Sequence, residues 1–375
     1  MQHPSRSSVR RSSAICATRA FSALAVAFVA LAASPARAQN CVGDLNGDSQ
    51  VNGADLSILL NAWGPCPGGN PGCTGDLTLD GIVNGADLTP LLANWGACPG
   101  TVVPSWATLF EVQPDPAVVT DPTLRAAIIA TGLPWRVLDT GTQVEMLLVP
   151  PGIFQMGCIM GSNQYACFEW ELPVHQVTLT NAFYMGRYEV TQAQWQATMG
   201  SNPSYFTNAS AQVPAAQVLN RPVERVSWDS IQGYLSATGM RLPTEAEWEY
   251  ACRAGTQTPF YNGSTDDGTV GALAWYGSCC GGNSGGETHA VGGKAANGYG
   301  LYDMLGNVWE WVNDWYSDYS GNAQTNPTGP VSGPGRVVRG GSWYSDTGYV
   351  RSSNRGIDAP GFTSYGIGFR VARTP

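Results

Sequence analysis

The chain is short of positive charge, and the shortage narrows what it can touch. Its 375 residues carry 19 Lys and Arg against 28 Asp and Glu, and Lys294 is the only lysine. Histidine is scarce as well: beyond His3 only His175 and His289 are present, too few for a multi-histidine metal site. Long apolar runs are absent, since a membrane-spanning helix needs ~20 consecutive apolar residues and the stretch from Phe21 to Ala33 falls short. That stretch follows Arg6, Arg10, Arg11 and Arg19 and precedes Ala36-Arg37-Ala38, the order of a basic region, an apolar region and a small-residue cleavage site. We therefore expect residues 1–38 to be a signal peptide cleaved near Ala38. The mature chain would then have no membrane span and would be secreted, periplasmic or held at the cell surface. Five of the 19 cations and none of the 28 acids fall in that segment, so the remainder carries a net charge of −14. Such a balance argues against nucleic acid or anionic membrane as a partner and agrees with cation binding. Nine of the ten cysteines lie beyond the segment, in a setting where disulfides persist.

What the sequence does have is an internal repeat. Cys41-Val42-Gly43-Asp44-Leu45 returns as Cys73-Thr74-Gly75-Asp76-Leu77, and Val51 to Leu56 returns as Val83 to Leu88, at a constant offset of 32 residues. Each copy spaces oxygen donors as an EF-hand loop does. Asp44, Asn46, Asp48, Asn52 and Asp55 fill positions 1, 3, 5, 9 and 12, with the Gln50 carbonyl at 7. Asp76, Thr78, Asp80, Asn84 and Asp87 fill them again, with the Ile82 carbonyl at 7. Calcium takes six to eight oxygens, and this spacing wraps them around one point. Carboxylates forced within ~4 Å repel by about 1–4 kcal/mol per pair, a cost that an ion removes and a plain solvated turn does not. Ser49 replaces the glycine usual at position 6, and both loops end on Asp, which weakens the expected affinity.

A helix is expected after each loop. Leu56, Leu59, Leu60 and Trp63 form one apolar stripe, repeated by Leu88, Leu91, Leu92 and Trp95. The two stripes should pack on each other, because one repeat is too small to fold alone. Pro90 belongs in a first turn, which puts the second helix start near Asp87. Cys41–Cys66 and Cys73–Cys98 are natural staples, although the spacing alone does not fix the pairing. Residues 41–98 thus resemble a type I dockerin, a small all-α, EF-hand-like module. The resemblance implies a cohesin-like partner or a cell-surface scaffold. The usual partner-reading positions hold Gly53-Ala54 and Gly85-Ala86, which offer no hydroxyl. A self-contained calcium-stabilised spacer is the competing reading.

Residues 99–141 lack periodicity and read as a linker, with a short helix between Asp121 and Leu133. From Thr142 onward the pattern is mixed. Strands are expected across Val144–Met156, broken at Pro150-Pro151-Gly152, and at His175–Thr180, Arg336–Trp343 and Ile367–Ala372. Ser227 caps a helix to about Ala237, and Thr244 with Glu247 forms a capping box opening Glu245–Ala254, with Gly255 as the stop. Cys158 and Cys167 flank a short loop and should pair. Cys252 should be core.

Over residues 142–375 several phrases occur in order: Tyr188-Glu189-Val190-Thr191, Arg241-Leu242-Pro243-Thr244-Glu245, Gly300-Leu301-Tyr302-Asp303-Met304-Leu305-Gly306-Asn307-Val308-Trp309-Glu310-Trp311, Arg339-Gly340-Gly341-Ser342-Trp343 and Gly368-Phe369-Arg370. Together they resemble the formylglycine-generating, or sulfatase-modifying factor, family. The resemblance implies an α+β fold of the modified C-type-lectin-like kind. It also implies an oxidase that converts a sulfatase cysteine with oxygen and copper(I) held by two cysteines. Here Ser345 and Val350 occupy those two positions, and neither is the soft ligand that copper(I) requires. The resemblance further implies a calcium site made by the Asp303 side chain, the Gly306 and Val308 carbonyls and the Glu310 side chain. The competing reading pairs Glu310 with an arginine and lets Asp303 cap a turn. Trp309, Trp311, Trp315, Tyr316 and Trp343 are either core or the lining of a peptide- or glycan-binding surface.

The expectation that follows is an exported calcium-binding protein, non-catalytic and without copper, that binds an unidentified peptide or glycan. Two alternatives are a formylglycine-generating oxidase with an unorthodox copper site and a carbohydrate-binding accessory subunit docked through residues 41–98.

Overall fold

The computed structural model describes residues 42–46, 50–69, 72–97, 102–159, 167–279 and 281–375. The expected signal segment 1–38 lies outside them, as do Cys41, Asp48 and Cys98.

The repeats build one unit twice. Strand β1 (Gln50–Val51), helix α1 (Gly53–Asn61) and strand β2 (Gly64–Pro65) are matched by β3 (Ile82–Val83), α2 (Gly85–Ala93) and β4 (Gly96–Ala97). Pairing crosses the copies, β1 with β4 and β2 with β3, all antiparallel. Asn52 and Asn84 cap the helices, and Asp55 and Asp87 complete capping boxes. Helix α2 therefore starts at Gly85, earlier than expected, and Pro90 lies inside it. The cap fixes the start, and the proline removes only one intrahelical bond from a nine-residue helix.

Two further expectations are corrected here. The leucine stripes are only half used: Leu59 and Leu91 are fully buried with Val51 and Val83, while Leu60, Trp63, Leu92 and Trp95 stay about half exposed. Two short helices share too little length to cover both stripes. The disulfide joins Cys66 to Cys73 rather than Cys41 to Cys66 and Cys73 to Cys98. The β2–β3 pairing, extended by Cys66 N–H donating to Gly81 O at 2.8 Å, draws the end of one copy against the start of the next.

The expected linker 99–141 is largely structure. It carries β5 (Ala107–Glu111), α3 (Pro122–Ile129, capped by Asp121) and β6 (Arg136–Asp139). Then come β7 (Glu145–Val149), β8 (Gly152–Met156), β9 (His175–Leu179), β10 (Phe183–Gly186), α4 (Gln192–Met199), α5 (Trp228–Thr238), α6 (Glu245–Arg253) and α7 (Val270–Leu273). The chain closes with β11 (Trp309–Trp315), β12 (Gln324–Thr325), β13 (Arg336–Arg339), β14 (Arg355–Asp358), β15 (Ile367–Gly368) and β16 (Ala372–Arg373). Three sheets result, in the orders β16-β10-β7-β6-β5, β14-β13-β11-β15 and β12-β9-β8. The sheet is why 107–139 cannot be a linker: Val137 pairs with Met146 and is fully buried.

Local chemistry sets the ends of these elements. Ser227 caps α5, and Gly239 ends it at φ +69°. Thr244 and Glu247 box the start of α6, but Ala254 rather than Gly255 takes the left-handed cap, at φ +44°. The expected strand to Trp343 stops at Arg339, because Gly340 and Gly341 turn the backbone at φ +94° and +75°.

Long loops separate the strands, and buried arginines hold them. Arg339 donates to the carbonyls of Ser352, Ser353 and Asn354 while pairing with Glu249. Arg370 reaches the Gly186 and Tyr302 carbonyls, and Arg221 the Thr288 carbonyl. A guanidinium presents five donors in a rigid fork, so one side chain can satisfy several irregular carbonyls at once.

Candidate functional site

The segment at the two expected copper positions begins where β13 ends. Ser342 N–H donates to Ser345 Oγ at 3.0 Å, and Ser345 N–H donates back to Ser342 O at 3.0 Å. The Ser345 hydroxyl thus accepts a bond within its own turn. Val350 is fully buried, and a Cβ added at Gly341 would stand 2.6 Å from its Cγ1. Arg351, the next residue, turns inward to Glu171, with Nη2 at 2.9 Å from Oε1.

Sulfur does exist nearby, but not as thiolate. Cys158 and Cys167 are joined in a disulfide, as the sequence suggested, and Cys279 is also disulfide-bonded. Among the described residues Cys252 is the one free cysteine. It is core, and burial pushes its thiol up to about 12. The donors here are a hydroxyl, an isopropyl group, disulfide sulfurs and one protonated thiol. They do not fit a linear two-thiolate copper(I) site.

Around this turn the surface is aromatic. Phe206, Tyr344 and Tyr365 have their ring centroids 5.5, 5.6 and 5.8 Å from that of Trp343. Tyr205 lies 5.7 Å from Tyr365. Tyr205, Tyr344 and Tyr365 are exposed. The Tyr205-Phe206 backbone is pinned from beneath by Glu224, whose Oε1 accepts both N–H groups at 2.6 and 2.9 Å. Glu224 is fully buried, its Oε2 has no partner, and burial pushes its carboxyl up to about 7. Of the other aromatic candidates, Trp311 is core and Trp309 packs against the core. Trp315 stacks on Arg336, which also covers Trp228, and Tyr316 lies under Arg355.

The Asp303–Glu310 loop turns through positive φ at Asp303, Gly306 and Asn307. Asp303 is buried; its Oδ2 accepts Gly292 N–H at 2.6 Å and its Oδ1 has no partner. Glu310 is clamped by Arg370, Nη2 to Oε1 and Nε to Oε2 both at 2.7 Å, and Trp248 Nε1 donates to Oε2 at 2.6 Å. Sequence reasoning missed Glu189, although it lies in a quoted motif. Glu189 is fully buried and accepts from Asn307 Nδ2 at 2.8 Å and Val308 N at 3.2 Å. Burial, with Asp303 and Glu310 nearby, holds its carboxyl well above the usual range. Burial likewise pushes Asp303 up to about 6. Three buried carboxyls thus surround one guanidinium. The orphaned Asp303 oxygen and this excess of acid fit a cation, and Glu310 Oε1, with one bond made, keeps lone-pair capacity.

In the second repeat loop, Asp76 Oδ1 accepts Asp80 N at 3.1 Å, and its Oδ2 accepts Gly81 N at 3.0 Å. Asp87 Oδ1 accepts Leu77 N, Thr78 N and the Thr78 hydroxyl at 2.8, 2.9 and 2.9 Å, and Oδ2 accepts Asn84 N at 2.8 Å. Burial pushes Asp87 up, but these bonds outweigh it and hold the carboxyl below the usual range. Asn84 Oδ1 accepts the cap bond from Ala86 N–H, and its Nδ2 donates to the Ile82 carbonyl at 3.2 Å. The first loop repeats this: Asp55 accepts from Leu45, Asn46 and Asn52, and Asn52 caps α1. Asp44 is buried, Asn46 is exposed, and the Gln50 backbone lies in β1.

The mixed sheets, capped helices and long arginine-pinned loops define an α+β domain of the modified C-type-lectin-like class, preceded by a dockerin pair. The profile of the sulfatase-modifying factor enzyme 1-like domain matches residues 137–375, and that of the dockerin type I domain matches residues 42–93. The chain belongs to the sulfatase-modifying factor enzyme 1-like family. It is 33% identical over 282 residues to the formylglycine-generating enzyme of Mus musculus, covering 61% of this chain and 74% of that protein. It is 32% identical to the chaperone protein LppX of Paenibacillus barcinonensis, covering 53% of this chain and 82% of that protein. Among solved structures, Treponema denticola variable protein 1 superposes with a TM-score of 0.54 at 31% identity, over 62% of this chain and 95% of that one. Among the described residues, no helix is long and apolar enough to cross a membrane.

Proposed function

We propose that this protein is an exported, calcium-stabilised binding protein in which the sulfatase-modifying factor domain no longer oxidises cysteine. The observation that carries the reading is the pair of expected copper positions: one hydroxyl closed into its own turn and one isopropyl group packed in the core. Formylglycine formation needs a metal or thiol to engage the client cysteine, and neither position offers one. That a relative 32% identical over 253 aligned residues is named a chaperone supports a role for this scaffold outside oxidation.

Binding falls to the aromatic face. Tyr205, Tyr344 and Tyr365 present ring faces and hydroxyls at low conformational cost, Trp343 forms their base, and Glu224 fixes the Tyr205-Phe206 backbone from beneath. A peptide or glycan chain with alternating apolar and polar surface suits such a platform.

Calcium is proposed at three places. The repeat loops would take it through Asp44, Asn46, Asp48, Gln50, Asn52 and Asp55, and through Asp76, Thr78, Asp80, Ile82, Asn84 and Asp87. In the second loop the ion would convert the Thr78 hydroxyl from a donor to Asp87 into a ligand. The larger domain would hold one through Asp303, Gly306, Val308 and Glu310. Bound calcium there supplies fixed positive charge that tightens turned backbone; no chemistry runs through it. The dockerin pair implies a cohesin-type partner. With Gly53-Ala54 and Gly85-Ala86 lacking hydroxyls, exposed Leu60, Trp63, Leu92 and Trp95 supply the contact.

The test incubates the copper-loaded protein and oxygen with a cysteine-containing sulfatase peptide and looks for aldehyde by mass spectrometry. No aldehyde is expected. Turnover would sink the reading and restore the oxidase.

A further inference from the structure

A cavity of about 370 Å³ opens between β9, the start of α6, the end of β11, the 317–330 segment and β14. None of its lining residues belongs to the turn from Ser342 to Val350 or to the aromatic group around Trp343. Its inner wall is a built network. Glu245 and Arg355 form a two-bond ion pair, Nε to Oε1 at 2.7 Å and Nη2 to Oε2 at 2.6 Å, both side chains buried. The Tyr319 hydroxyl donates to Glu245 Oε1 at 3.1 Å. The Tyr319 ring contacts the Arg355 guanidinium at 4.0 Å and the His175 imidazole at 4.9 Å.

Two groups on this wall have capacity left over. His175 is 3% exposed, and its Nδ1 lies 3.1 Å from the Pro173 carbonyl oxygen. A carbonyl can only accept, so Nδ1 carries a proton, and in that tautomer Nε2 is an acceptor without a protein partner. Asp314 is 4% exposed; its Oδ2 accepts Glu245 N–H at 2.9 Å, and no protein group bonds Oδ1. Burial and the nearby Glu245 push this carboxyl up to about 8, so at neutral pH it is mostly protonated and can donate. Glu245 is neutralised by Arg355, and Asp318 adds negative charge at the rim. An anionic ligand is therefore repelled. A neutral polyol supplies an acceptor to Asp314, a donor to His175 and further hydroxyls to Ser317, Ser320 and Thr328, which also line the cavity.

We propose that this cavity binds a single neutral sugar residue, with Asp314 donating to one of its hydroxyls and His175 accepting from another. It is a second site, independent of the aromatic face.

The test uses the full chain with a panel of neutral methyl pyranosides, followed by saturation-transfer NMR and calorimetry. Asp314 is faced by Glu245 and Glu247 of α6, Arg355 of β14 and Arg336 of β13, and His175 of β9 and Asp318, beyond the end of β11, line the same cavity. Asp314, held up to about 8, loses its donor proton across the range pH 7 to 9.5, so wild-type affinity should fall by roughly thirtyfold across that range. Asp314→Asn keeps the acceptor for Glu245 N–H and offers an amide donor to the cavity, so it should bind with no such pH dependence. Asp314→Leu with an intact melting transition should abolish binding. The proposal is overturned if no pyranoside on the panel binds, or if charged amines or uronates bind in preference. It also falls if wild-type affinity is flat from pH 7 to 9.5, or if folded Asp314→Leu binds as the wild type does.

Discussion

Supplying soft donors at Ser345 and Val350 should create a copper(I) site on a scaffold that already has the family shape. The perturbation is the double substitution Ser345→Cys with Val350→Cys, and the structure sets its cost. The first change gives up the 3.0 Å bond from Ser342 N–H to the hydroxyl, worth about 0.5–1.5 kcal/mol. The second swaps two methyl groups for one sulfur in a fully buried site; losing about one methylene there costs roughly 0.5–1.5 kcal/mol. The sum is roughly 1–3 kcal/mol, which for a domain of this size lowers Tm by about 2–12 °C and leaves it folded. The assay is anaerobic copper(I) titration against a competing chelator, with X-ray absorption on the loaded protein. The wild type should show no pair of sulfur neighbours, and the double variant should show two in linear array. Sulfur-coordinated copper(I) bound tightly by the wild type would refute the donor argument directly. A folded double variant that still takes up none would show that something other than missing sulfur keeps copper out.

Three further outcomes are expected. Asp87→Ala removes a capping box and the acceptor for three backbone N–H groups, so it should destabilise the dockerin pair by about 1–2 kcal/mol without metal, and calcium should no longer rescue it fully; circular dichroism melts with calcium or chelator check this. Glu224 has a folded carboxyl raised above its unfolded value, so the stability it confers is complete below about pH 4.3 and is lost as pH rises through about 7. That loss amounts to about 3 kcal/mol; Glu224→Gln should flatten this part of the pH–Tm profile, and an unchanged slope would count against the assignment. Arg339→Met strands the Glu249 pairing and three carbonyls, and should cost about 3–5 kcal/mol, seen as a Tm fall of roughly 6–20 °C in calorimetry.

Much of the local structure was legible because its causes are local. Ser227 with Gly239, and Thr244 with Glu247, each carry a cap whose partners lie within a few residues, whereas Asn84 with Asp87 was read only as part of a calcium loop, so the start of α2 was placed too late. The Cys158–Cys167 bond likewise closes a short loop. The expected linker 99–141 was misread because β5 and β6 are short and gain their stability from β7, a partner that sequence periodicity does not display. Glu189 was overlooked for a similar reason: it lies 118 residues from Asn307, which it holds. The Cys66–Cys73 bond follows from strand pairing between the repeats, and counting cysteines gives no access to that.

By itself, then, the sequence determined the family, the repeat, the helix caps at Ser227 and Thr244 and the replacement of two soft ligands by Ser345 and Val350, because residue identity and short spacing carry those facts. Only the tertiary structure decided that Val350 is packed in the core, that Glu310 is clamped by Arg370, and that Asp314 and His175 share one cavity. Each of these depends on which groups a fold brings within about 3 to 5 Å across long stretches of chain, where burial strengthens charge and leaves unmatched polar atoms with nothing but a ligand to meet.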